Sequence, residues 1–370
     1  MLLEERDPLE GGRAPLVDRR WVRHSANLST MPAATVAPDK FKGTLTAGDA
    51  AAAMARGVSR AGYDDVRVVP LADGGDGTLD ALVAARGGSR RRARITGPLG
   101  DPVDAEWALL PDGTAVVEMA RASGLLLVQG RNDPLRASTR GTGELIATAL
   151  RSGARRVIVG VGGSATTDGG LAAVEVLGWS LTGAEVVLAC DVRTRFLDAA
   201  RVFAPQKGAS SAQVMLLARR LERLADQYES RTGVDVRDLE GGGAAGGLAG
   251  GLAAIGARVE PGFEVVAGAV GLEDALDGAD LVLTGEGRLD VSSFDGKVVG
   301  GVLEWAAELG IAHRGVIAGQ VTAGAREEAE VLGARIEALT DRVWQSGEAF
   351  TRAAVLVEEA AVDLARRALD

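Results

Sequence analysis

RVIVGVGGSATTDGG, residues 156–170, passes from an apolar, β-branched run straight into glycine, serine, threonine and aspartate. The run reads as a strand, the polar stretch as a loop and the residues after it as a helix. Glycines in such a loop let backbone N–H groups approach an anion closely, and a helix start behind them adds positive field. Ser164, Thr166 and Thr167 add hydroxyls. The same order recurs along the chain. Thr35–Ala37 ends at PDKFKGT, Val66–Leu71 at ADGGDGT, Glu185–Cys190 at Asp191, Leu281–Thr284 at GEGRLD and Gly315–Ala318 at GQV. Alanine-, leucine- and arginine-rich helical patterns lie between, at 47–62, 141–153, 211–231 and 300–309. Strand, loop, helix, strand predicts an α/β fold with a parallel sheet.

Composition agrees. The 370 residues suggest two or three domains, with chain enough for sizeable cores. Aromatics are only 4 %, so the core must be Val, Leu, Ile and Ala, which suits a sheet covered by helices. The net charge of −10 argues against nucleic acid or anionic membrane as a bulk partner. A single cysteine, Cys190, and two separated histidines, His24 and His313, exclude a cysteine metal cluster, a His-ligated zinc site and a Ser-His-Asp triad. No run of 18 apolar residues exists, and the N-terminus lacks an apolar signal core, so the expected location is the cytoplasm. Residues 1–30 are charged, lack any period and read as a disordered extension or an upstream start.

Polar residues gather where the strands end, which in an open parallel sheet is where ligands bind. Turns favour Gly and Asp anyway, but five such loops in one chain point to a single anion- and metal-binding face. The acids beside them are Asp39, Asp73, Asp76, Asp168, Asp191, Glu286 and Asp290. Phosphoryl transfer needs this chemistry: carboxylates for Mg²⁺, an acceptor-positioning base and cations for the developing charge. The cations on offer are Lys40, Lys42, Lys207, Arg288 and Lys297. Only four of the 41 basic residues are lysine, and all four sit in these short Pro- or Gly-containing segments. A lysine is a compact point charge that fits against a phosphate where the planar arginine fork would not. EGGGAAGGLAGG (240–251) is a second glycine-rich loop opening onto a helix. Its G-x-G-x-x-G match is weak as a dinucleotide fingerprint, because the preceding DVRDLE is polar rather than a buried strand. No P-loop motif is present.

Taken together, APDKFKGTL, PLADGGDGTLDAL, VVEMARASGL, DPLRASTRGTGELI, VGGSATTDGG, ACDV, APQKGAS, GGGAAGGLAGGL, DLVLTGEGRLD and GKVVGGV resemble, in order, the type I glycerate kinases. The resemblance spans about residues 34 to 321. It implies ATP-dependent phosphorylation of D-glycerate, with the 2-hydroxyl as acceptor. It also implies two α/β domains: a flavodoxin-like one from both chain ends (31–71 plus 265–370) and an inserted one (72–264). On this reading Asp191, Lys40, Arg288 and Asp76 are catalytic, and Asp191, Glu286 and Asp290 hold Mg²⁺. Gly162, Gly163, Ser164, Thr166, Gly242, Gly243, Gly246 and Lys207 hold ATP.

Two departures from the family pattern flank Asp191. Only SLTGAEVVL separates Val176–Trp179 from ACDV, so a β-rich stretch is missing, and RTRFLDAARVF follows in place of an Asn-Pro-Leu-type segment. A binding protein with impaired turnover is therefore a second expectation. It gains if Asp191 points away from Asp73, Ser164 and Glu286.

Overall fold

The computed structural model describes residues 32–370 apart from Thr182 and Gln345. The expectations for residues 1–30 lie outside the described residues. The first strands in chain order are β1 (Ala33–Val36), β2 (Asp65–Val68), β3 (Ser89–Thr96), β4 (Pro102–Leu109), β5 (Thr114–Glu118) and β6 (Arg156–Gly160). Then follow β7 (Glu185–Cys190), β8 (Arg258–Pro261), β9 (Leu281–Leu289), β10 (His313–Val321) and β11 (Ala334–Ala338). Two sheets result, ordered β11-β10-β9-β1-β2 and β3-β4-β5-β6-β7-β8. The first is parallel throughout and is built from both ends of the chain. The second is parallel from β5 to β8 and antiparallel over β3, β4 and β5. The fold is α/β.

Successive strand residues face opposite sides, so each apolar strand feeds two cores. Leu283 and Ile317 pack with Met54, Val58, Leu356 and Val357 of the helices Ala47–Ala61 and Ala353–Leu369. Their neighbour Val282 turns to the other side, toward Phe263, Val298 and Val302. That layer also takes Val116, Ile158 and Val187 from the six-stranded sheet, so one apolar layer is shared by both sheets. Val117, Val159 and Leu188 alternate away into a separate core. Small side chains let these layers approach closely, which accounts for the scarcity of aromatics.

The antiparallel β3 was not among the strands read from the sequence, because SRRRARIT hides its period under arginine. It is an exposed edge strand, and its charges guard against pairing with another chain. The Arg91 guanidinium lies 5.3 Å over the buried Trp107 ring. Among the described residues no helix is long and apolar enough to cross a membrane.

What positions the site is the loop after β2. Gly74 presses against β7, so that a Cβ there would lie 2.4 Å from the Ala189 carbonyl oxygen. A Cβ on Gly262 would lie 1.8 Å from the carbonyl oxygen of Asp73. A loop of the five-stranded sheet is thus laid onto the carboxyl edge of the six-stranded one.

Candidate active site

Asp39 and Asp73 are the first acids after the apolar runs of β1 and β2, and both are half-buried. The backbone N–H of Asp39 donates to the Gly285 carbonyl at 2.9 Å, which ties the end of β1 to β9. Asp73 lies close enough to act on Asp39, Lys40, Asp191 and Glu286. Burial pushes the Asp39 carboxyl up to about 7; Lys40 pulls it back, and Asp73 and Glu286 push it further. Asp191 is exposed as a residue, yet partial desolvation of its carboxyl and then the charge of Asp73 raise it, against the pull of Lys297 and Lys40. Glu286 is likewise raised, by burial first, although a hydrogen bond from Ser293 and the charge of Lys297 oppose it. Lys40 is the counterpart: burial works to lower its ammonium, but Asp39, Asp73, Asp76 and Glu118 more than offset that, and its pKa rises. Its Nζ donates to the Asp76 carbonyl oxygen. Asp39, Asp73 and Asp191, beyond the ends of β1, β2 and β7, thus gather with Glu286 of β9 around Lys40 and Lys297, with Asp76 also acting on Lys40 and Asp290 on Glu286.

Beside this cluster lies a cavity of about 380 Å³, lined by Gly162, Gly163, Ser164, Asp191, Phe203 and Lys207 among others. Lys207 is buried, and its Nζ donates to Ser164 Oγ at 2.7 Å and to the Thr166 carbonyl at 2.6 Å. Burial drags its pKa down to about 8, with Asp168 resisting. A second cavity of about 230 Å³ opens beside Gly287 and Gly319, with Lys42 and Arg288 set against Phe41, Leu339 and Phe350.

A sequence model of the glycerate kinase family matches residues 34–185 and 180–369. The chain belongs to the glycerate kinase family. It is 41 % identical over 326 residues to the glycerate 2-kinase of Escherichia coli strain K12, covering 78 % of this chain and 85 % of that one. It is 39 % identical over 370 residues to a glycerate kinase of Bacillus subtilis strain 168, covering 89 % and 96 %. A solved structure from Salmonella typhimurium LT2, provisionally described as a glycerate kinase 2, superposes with a TM-score of 0.80 at 36 % identity. That match covers 91 % of this chain and 98 % of the other. As a glycerate kinase family member the chain is a phosphotransferase, and a kinase of this family uses ATP. The two matched stretches overlap at 180–185, the place where the sequence lacks its β-rich stretch. Asp191, just beyond, nonetheless turns into the cavity with Ser164 and lies near Asp73.

The expected site residues divide. Asp191, Lys40 and Glu286 come together, and Gly162, Gly163, Ser164 and Lys207 line the adjoining cavity. Arg288 is exposed in the second cavity. Asp76 is exposed and contributes its carbonyl to Lys40. Asp290 is occupied as a cap: its carboxylate accepts from Ser292 N at 2.9 Å and Ser292 Oγ at 2.6 Å, and these bonds lower its pKa. The Thr166 hydroxyl is buried and donates to the Ala245 carbonyl at 3.2 Å. Gly242, Gly243 and Gly246 face protein. A Cβ on Gly246, where φ is +71°, would lie 1.9 Å from the Thr166 carbonyl oxygen, and one on Gly243 would lie 2.4 Å from that of Arg195. Their lack of a side chain is accounted for by one glycine-rich loop locking onto the other, also through Gly169 N to the Gly246 carbonyl at 3.0 Å.

Asp39, Asp73 and Lys297, which the sequence offered only as candidates, stand in the cluster beside Lys40, Asp191 and Glu286, and Asp76 and Asp290 act on it as well. The available signal was position: Asp39 and Asp73 directly follow an apolar strand run. Cys190, by contrast, is buried, and its thiol is pushed up to about 11, so it is no nucleophile. Among the described residues no three His, Cys, Asp or Glu side chains are drawn together as a ready-made metal site, so a divalent cation here would lean on fewer carboxylates. Glu286 Oε1 is buried without a hydrogen-bond partner, beside carboxylates that repel one another. A hard cation with oxygen ligands would satisfy that atom and relieve the repulsion.

Proposed function

We propose that the chain transfers the γ-phosphoryl group of ATP to D-glycerate at its 2-hydroxyl, giving 2-phosphoglycerate and ADP. The observation that carries this reading is the convergence of Asp39, Asp73, Asp191 and Glu286 with Lys40 and Lys297 beside the 380 Å³ cavity. The name of the E. coli relative supports the 2-hydroxyl as acceptor.

In this reading the backbone at Gly162 and Gly163, with Ser164 and Lys207, faces the ATP phosphates. Thr166, Gly242, Gly243 and Gly246 hold that loop in shape from behind. Asp191 and Glu286 would hold Mg²⁺, which when bound neutralises charge on the phosphates. Lys40 and Arg288 meet the glycerate carboxylate and the transferred group. Asp39, whose pKa of about 7 matches neutral working conditions, takes the proton of the 2-hydroxyl. The hydroxyl oxygen then bonds to the γ-phosphorus, and the bond to the β–γ bridging oxygen breaks, its electron pair leaving with ADP. We divide the chain, on the same reading, into the two domains implied by the resemblance, with the reaction in the cleft between them.

The binding-protein alternative is not favoured, since Asp191 turns toward Asp73 and Ser164 despite the shortened segment before it. The test is a coupled assay with ATP, Mg²⁺ and D-glycerate, the product being assigned by ³¹P NMR. 2-Phosphoglycerate is expected. ATP binding without product would overturn the reading and restore the alternative.

A further inference from the structure

At the other end of the five-stranded sheet the parallel strands begin together, and a polar cavity of about 210 Å³ lies at the starts of β9, β10 and β11. Leu281 of its lining is five residues before Glu286, about 16 Å along an extended strand, so this cavity is separate from the acid cluster. Four basic side chains line it: His313, Arg314, Arg335 and Arg367. Arg367 is paired, its Nη1 donating to Glu337 Oε1 at 2.8 Å, and Glu337 also serves Arg342. His313, Arg314 and Arg335 have no carboxylate partner among the described residues. The Nε of Arg314 is buried and has no acceptor at all. Its guanidinium fills the space beside Gly333, where a Cβ would lie 2.5 Å from Nη2.

The net charge is −10, and elsewhere arginines repeatedly pair with nearby acids, as Arg237 does with Asp226, Glu229 and Asp235. Here His313, Arg314 and Arg335 converge on a cavity with no carboxylate of their own among the described residues. We propose that this cavity is a binding site for a small phosphate-bearing anion. Guanidinium forks suit the tetrahedral oxygens of a phosphate, and Arg314 and Arg335 bring two of them to one cavity. The volume admits inorganic phosphate or a phosphorylated three-carbon acid. The assignment rests on these residues and is independent of the reaction proposed above.

The test is calorimetric titration of the full chain with inorganic phosphate and, separately, with 2-phosphoglycerate. Wild type is compared with Arg335→Ala, Arg314→Gln and, as a control beside the acid cluster, Lys207→Ala. Arg335 is exposed, so its replacement leaves the fold intact. Loss of a charged hydrogen bond predicts binding at least about tenfold weaker in both arginine variants. The Lys207→Ala control retains this binding, and Arg335→Ala keeps the wild-type kcat in anion-free buffer. Tighter binding of 2-phosphoglycerate would identify the reaction product as the ligand, and tighter binding of phosphate the free ion. Isotherms unchanged in both arginine variants, or binding abolished only by Lys207→Ala, would overturn the site.

Discussion

Glu118 and Asp168 belong to the six-stranded sheet and its loops; Asp39, Asp73 and Glu286 belong to the acid cluster. All are acids removed to some degree from solvent, yet their surroundings differ. Glu118 accepts from Gly77 N and Leu79 N, each at 2.9 Å, and pairs with Arg121. Asp168 accepts from Thr139 N and Thr139 Oγ1, each at 2.8 Å, and from Gly170 N at 3.3 Å. Burial still raises the Asp168 pKa, but every donor facing it pulls the other way. In the cluster the carboxylates face one another, and Glu286 Oε1 has no donor. A buried acid saturated by its own fold is a building element. A crowded acid with lone pairs to spare is waiting for something positive.

Substitutions can break this comparison. The largest effect is expected for Asp191→Asn, which should lower kcat by at least about 1000-fold, as loss of a key electrostatic group does, and leave the melting temperature within a few degrees of wild type. A collapse in thermal stability would place Asp191 with the structural acids instead. Asp168→Ala should do the reverse. It strands the Thr139 and Gly170 donors in the interior and should destabilise by about 3 kcal/mol in a denaturant melt, with kcat of the folded fraction nearly retained. Gly246→Ala sharpens the picture of the interlocked loops: the clash with Thr166 and the left-handed backbone predict a loss of about 2 kcal/mol. Unchanged stability would mean that the loop has room to move.

The smallest effect is the pH dependence of Asp39→Asn. The native carboxyl titrates near 7 against an ordinary value of 3.8. A raised acid contributes stability that is complete below the unfolded pKa and lost as pH rises through the folded one. In metal-free buffer the variant should therefore melt like wild type near pH 4 and above wild type at pH 8. Identical melting at both values would show that Asp39 is not held in its neutral form.

Much of this was legible in the chain. Strands such as RVIVG and LVLTG are apolar and β-branched because both faces are covered, and the polar loops that follow mark the carboxyl edge. The family and the α/β fold follow from those local patterns, and so does the choice of Lys40, Asp191, Lys207 and Glu286 as candidates. β3 was illegible because an exposed edge strand can carry arginine at nearly every position, leaving no apolar alternation.

Local sequence also cannot tell a glycine that faces a ligand from one that faces protein. Gly163 lines the cavity, while Gly246 meets the Thr166 carbonyl, and both stand in glycine-rich loops of similar appearance. Nor could it show that Asp290 is capped by Ser292 while Glu286 Oε1 has no donor. Residue type and strand-end position are set by short stretches of chain. The number of donors around a carboxylate, and the charges facing it, are set by segments far apart in sequence that packing brings together, here the loop after β2 against Ala189 and Gly262. The sequence by itself determined the chemistry on offer at the strand ends. Only the tertiary structure decided which acids were left unsatisfied, because that depends on distance through space.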